Sequence, residues 1–171
     1  MARAWDVHGL RPDARFADAA GRIILTRWRE MMSYRDGTLL GDDIEELHAM
    51  RVSSRRLRAA MDAFAQAFPA KSFRRHLRVV KEVTDTLGDA RDLDVAIEGL
   101  RRLLPGLPEG EQAGIQGLIS RYEAERRAED AVIHTLFARL DAEGYERQLE
   151  AWVRRHTGID VERLAPAPAQ D

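Results

Sequence analysis

Apolar residues recur every three or four positions almost from one end of this chain to the other, and the alternating or β-branched runs that make strands are nearly absent. A period near 3.6 gathers such residues on one face of a helix. The chain is thereby confined to all-α architectures, read here as antiparallel hairpins or a bundle of about six helices. Ala, Leu, Arg and Glu dominate, and all four suit helices. A length of 171 residues allows one domain with a real core and leaves little room for two. The expected domain is 1–160, followed by a disordered tail over 161–171, where Ala-Pro-Ala-Pro-Ala offers nothing to bury.

Punctuation divides the helical pattern. A first helix is expected from about Ala14 to Tyr34, closed by a turn at Arg35-Asp36-Gly37. A second begins near Asp42 or Asp43 and stops before Pro69, because the residue preceding a proline is pushed out of the helical region. A third covers Ala70 to Leu87. Gly88 is read as a break, with Asp89 and Asp92 capping a fourth helix that runs to Leu104. Pro105-Gly106-Leu107-Pro108 separates it from a fifth helix to Leu140, and a sixth spans Glu143 to His156. The short connection at Pro69 predicts that helices two and three pack as an antiparallel hairpin.

Charge is segregated on that hairpin. From His48 to Lys81 the cations are Arg51, Arg55, Arg56, Arg58, Lys71, Arg74, Arg75, Arg78 and Lys81, and Asp62 is the lone acid, although the whole chain carries a net charge of −2. His48, Arg51, Arg55 and Arg58 fall within one stripe, and Leu47, Met50, Leu57 and Met61 occupy a separate apolar face. Like charges three and four residues apart destabilise a helix by about 0.2–0.5 kcal/mol per pair. An ordinary solvated face would mix in acids. Arg74, Arg78 and Lys81 form a second stripe at i, i+4 and i+7. Two such stripes facing one groove point to a linear polyanion, and arginine suits that ligand because its planar fork donates two parallel hydrogen bonds to phosphate oxygens.

Other readings of these residues stay open on sequence alone. The arginines of the first stripe can pair with acids of neighbouring helices, such as Asp85, Asp89 and Asp94. A nucleic acid attracts the same cations, but Phe64, Phe68 and Phe73 lie on apolar faces, away from the positions where bases would stack. A purely structural helical interaction module is the third possibility. No enzyme chemistry is expected: there is no glycine-rich phosphate loop and no nucleophile beside a histidine. The aspartates 85, 89, 92 and 94 are read as caps and arginine partners in preference to a cation site, His8, His76, His134 and His156 lack zinc spacing, and no cofactor is expected. The absence of cysteine and of any apolar run near the ~20 residues that span a bilayer fits a cytoplasmic protein without a membrane partner.

His48-x-x-Arg51-Val52-x-x-Arg55-Arg56-x-Arg58, followed by Leu87-Gly88-x-x-Arg91-Asp92-x-Asp94-Val95, closely resembles the two signatures of the CHAD domain, the conserved histidine α-helical domain. Val7-x-Gly9-Leu10-Arg11-Pro12-Asp13 is similar to the amino-terminus of that family. The resemblance implies non-catalytic binding of inorganic polyphosphate, in some members at polyphosphate granules. It assigns His48, Arg51, Arg55, Arg58, Arg74, Arg78, Lys81 and Arg91 to the lining of the polyphosphate groove. Family members usually combine two similar halves around a central pore, and here no second His-x-x-Arg run follows Arg91: His134 has no arginine three residues on, and Arg154-Arg155-His156 runs in the wrong order. A homodimer is the expected source of the second half.

Overall fold

The computed structural model describes residues 3–161 and 164. Of the expected tail over 161–171, Val161 and Leu164 are buried in the core, and the rest lies outside the described residues. Six α-helices run in order: α1 Phe16–Met32, α2 Arg35–Leu40, α3 Ile44–Ala63, α4 Ala70–Leu103, α5 Glu109–Ala142 and α6 Tyr145–His156. Single 3-10 turns, Ala65–Ala67 and Leu104–Gly106, lie before and after α4. No strand is present among the described residues, and the all-α expectation holds.

The core forms where the apolar stripes meet. Ile24, Trp28 and Met31 of α1, Met50, Leu57 and Met61 of α3, Val80, Val83 and Leu87 of α4, Phe137 of α5 and Leu149 and Val153 of α6 join one buried cluster. Helix α3 is its hub, with α1 on one side and α4 on the other. Pro69 takes the N-cap position of α4, so α3 and α4 are joined tightly and run antiparallel, as the short connection predicts.

Two boundaries differ from expectation. The segment Arg35-Asp36-Gly37 does not turn but starts α2; the turn that closes α1 comes earlier, at Ser33 and Tyr34, and α2 ends at Gly41, whose φ of +76° is a left-handed conformation that glycine adopts freely. Gly37 lies under the side chain of Glu46, where a Cβ would stand 2.5 Å from Glu46 Cγ, so this glycine serves close packing of α2 on α3. The larger correction is at Gly88. Helices three and four of the sequence reading are one 34-residue helix, α4, and Asp89 and Asp92 are exposed positions within it, not caps. A mid-helix glycine costs about 1 kcal/mol relative to alanine. Burial of Val83, Leu87 and Ala90 on either side keeps the helix continuous across it.

Helices α4 and α5 each span about 51 Å. Their outer ends, linked by the turn at Leu104–Gly106, project past the start of α3 as a two-helix arm. No helix among the described residues is long and apolar enough to cross a membrane.

Candidate functional site

The local chemistry of α3 sends its side chains in two directions. The apolar face enters the core, and one arginine goes with it: Arg56 Nη1 donates to Oε1 of fully buried Glu30 at 2.7 Å, and Glu30 also pairs with Arg27. The remaining cations, Arg51, Arg55 and Arg58, point to the seam between α3 and α4. With Ala59, Asp62, Thr84 and Asp85 they line an open groove of ≈ 530 Å³.

Each of the three is held differently. The Arg51 guanidinium lies against Gly88, where a Cβ would stand 3.1 Å from both Cζ and Nη2, and its Nη1 reaches the Thr84 carbonyl at 3.4 Å. The signature glycine thus serves as a seat for the signature arginine across the helix pair. Arg58 approaches Asp85 at 3.4 Å, with the two side chains 38% and 69% exposed; such a solvated pair contributes under about 1 kcal/mol. Arg55 is exposed and forms no ion pair among the described residues.

The second stripe runs on from the groove along the same face of α4. Lys81, Arg78 and Arg74 stand four, seven and eleven residues before Asp85, so they share its face and extend about 16 Å towards the start of the helix. Arg74 and Arg78 are exposed, Lys81 is half-buried, and none of them pairs with a carboxylate among the described residues. The stripe of α3 and the stripe of α4 therefore border the same side of the hairpin.

His48 and Arg91 stand apart from that groove. With Arg51 over Gly88, antiparallel register puts His48 of α3 level with Arg91 of α4, one turn nearer the start of α3. His48 is half-buried, and its Nδ1 is buried without a hydrogen-bond partner among the described residues. Arg91 opens onto a second cavity of ≈ 410 Å³ between the first turn of α3 and the facing sides of α4 and α5. Its Nη1 is likewise buried and unpartnered. Sequence reasoning placed eight residues in one groove; the structure puts Arg51, Arg55 and Arg58 in it, aligns Arg74, Arg78 and Lys81 beside it, and directs Arg91 elsewhere, with His48 between.

The pairing of a first-stripe arginine with Asp85, open on sequence alone, is present at Arg58, and Asp62 joins Asp85 in the groove wall. Sequence reasoning missed Arg126 of α5, which donates from Nε to Asp94 Oδ1 at 2.8 Å inside the second cavity and also pairs with Asp130. A signal for it existed: Asp94 continues the buried register of Val83, Leu87 and Ala90, so a carboxylate at a core position demanded a cation from a neighbouring helix. Burial pushes its carboxyl above the usual range, against the pull of Arg126 and Arg91. The aspartates 85, 89 and 92 lie on the exposed side of α4, and no three His, Asp or Glu side chains among the described residues converge to hold a cation.

The family model described as CHAD domain matches residues 22–170, nearly the whole chain. No curated protein and no solved structure matches it.

Proposed function

Because the chain belongs to the CHAD domain family, which is associated with polyphosphate binding, we propose that it binds inorganic polyphosphate without catalysis, along the groove between α3 and α4. One observation carries this reading. Arg51, Arg55 and Arg58 border a groove that has no aromatic ring in its wall and that continues into Arg74, Arg78 and Lys81, cations with no carboxylate partner among the described residues. Phosphates arrayed along the seam would answer each of these charges, and a ligand without bases needs no stacking platform. Polyphosphate granules in the cytoplasm are the setting this reading implies, and a second copy of the chain would supply a second basic face.

The test is calorimetric titration with long-chain polyphosphate, single-stranded DNA and duplex DNA at equal phosphate concentration, for the wild type and Arg55→Glu, with mass followed by light scattering. Polyphosphate is expected to bind tightly and DNA weakly, with affinity reduced at least tenfold in the variant, the scale of one charge-assisted contact. Equal binding of all three polyanions points instead to a general nucleic-acid binder. No binding of any leaves a helical interaction module.

A further inference from the structure

The second cavity differs in kind from the groove. A stretch of polyanion interior offers only acceptor oxygens, and a site built for it needs only donors. This cavity holds both. Asp94 is 7% exposed and lines it, with Oδ1 taken by Arg126 and Oδ2 without a hydrogen-bond partner among the described residues; Arg91 lines it with Nη1 buried and likewise without one. The charged groups around Asp94 are Arg91, Glu98 and Arg101 from α4, Glu123, Arg126, Arg127 and Asp130 from α5 and Glu45 from α3. A buried acceptor and a buried donor left open together cost about 1–3 kcal/mol each until something satisfies both.

We propose that this cavity captures the end of a polyphosphate chain. A terminal phosphate, like a phosphate monoester, loses its last proton near pH 6, so in mildly acidic solution it presents one P–OH donor beside its anionic oxygens. Interior phosphates carry no such proton. With the Asp94 and Arg91 side chains turned so that these buried atoms meet the cavity, the terminal hydroxyl donates to Asp94 Oδ2 and an anionic oxygen accepts from Arg91, while the chain leaves past His48 into the groove. The geometry allows one ligand to do both. Ile44, at the cavity wall, and Arg58, in the groove, lie on one stripe of α3 about 21 Å apart, with His48 and Arg51 between them. Glu45, Glu98 and Glu123 line the cavity with Asp94 and offset its arginines, so it disfavours a run of fully ionised phosphates and suits a single end group. This inference rests on the polyphosphate reading and assigns a polarity to it.

The experiment compares short polyphosphate whose ends are free with the same chains blocked at both ends as esters, by calorimetry at pH 6 and matched phosphate, for the wild type and Arg91→Gln. Wild-type protein is expected to bind free-ended chains about tenfold more tightly. Arg91→Gln is expected to bring the ratio to one; because the ratio is read, a general loss of charge does not mimic the effect. Equal affinity for free and blocked chains in the wild type overturns end capture and leaves polyphosphate binding intact. A ratio unchanged in Arg91→Gln overturns the assignment to this cavity. Failure of both ligands to bind overturns both readings.

Discussion

Gly88→Ala separates the stability of α4 from the position of Arg51. On the helix alone the change is favourable by about 1 kcal/mol, since alanine removes the conformational cost of a mid-helix glycine. The new Cβ would stand 3.1 Å from Cζ and Nη2 of Arg51, a few tenths of an ångström inside ordinary contact. Those atoms end a long flexible side chain whose hydrogen bond to the Thr84 carbonyl is already stretched to 3.4 Å, so the arginine swings away at little cost. Unfolding in urea is therefore expected to show unchanged or slightly higher stability, with a melting temperature raised by up to about 3 °C. Polyphosphate binding is expected to weaken at least tenfold, because one charged contact is worth about 1.5–3 kcal/mol. Both are measured on one preparation. Unaltered binding would refute the seat at Gly88, and a loss of more than about 1 kcal/mol in stability would mean that the close approach serves packing of α3 on α4.

Asp85→Asn removes a negative charge from the groove wall and releases Arg58 from a solvated pair, so stability should stay within about 0.5 kcal/mol. Polyphosphate affinity should rise severalfold in the same calorimetry, and a fall would show that Asp85 positions Arg58. His76 is buried beside Tyr145 Oη at 3.2 Å, and burial, reinforced by the charges of Arg75 and His156, lowers its pKa from 6.5 to about 4. The folded state holds it neutral and the unfolded chain does not, so its contribution is complete above pH 6.5 and is lost as pH falls towards 4, by up to about 3 kcal/mol. Urea midpoints of the wild type across that window should decline more steeply than those of His76→Phe, and parallel curves would exclude His76 as the source.

The architecture was legible because the apolar period of α1, α3, α5 and α6 survives in the folded chain, with Trp28, Met50, Leu57 and Leu149 buried where the pattern puts them. Gly88 misled because local propensity names it a breaker, whereas its function is set by a residue 37 positions earlier in sequence and adjacent only after folding. The basic stripe of α3 was legible for the same reason as the core, since both follow from one helical period. The destination of Arg91 was not. Spacing along α4 gives its angle about that helix but not which neighbour stands there, and the answer depended on Arg126 arriving from α5 to meet Asp94. The difference between groove and cavity is thus a tertiary fact carried by side chains far apart in sequence.

Outside the groove, several arginines find acids, as Arg29 does with Glu150 at 2.8 Å, Arg101 with Glu123 at 2.7 Å and Arg139 with Glu82 at 2.7 Å. Inside it, Arg55 stands four residues after Arg51 and three before Arg58 with no carboxylate partner among the described residues, and beside it Arg74, Arg78 and Lys81 repeat the arrangement. Four like-charge neighbour pairs at about 0.2–0.5 kcal/mol each strain the free protein by 1–2 kcal/mol, approximately. A chain with more acids than bases does not lack the means to neutralise them; the acids are placed elsewhere. The Arg55→Glu variant that tests binding therefore makes a second statement. It turns two repulsive neighbours into two attractive ones, so the free protein should gain about 1 kcal/mol while polyphosphate affinity falls. Opposite movement of stability and affinity is what a surface held in readiness for an anion must show. A merely solvated face would gain the same stability with no polyphosphate affinity to lose, and a structural one would lose stability.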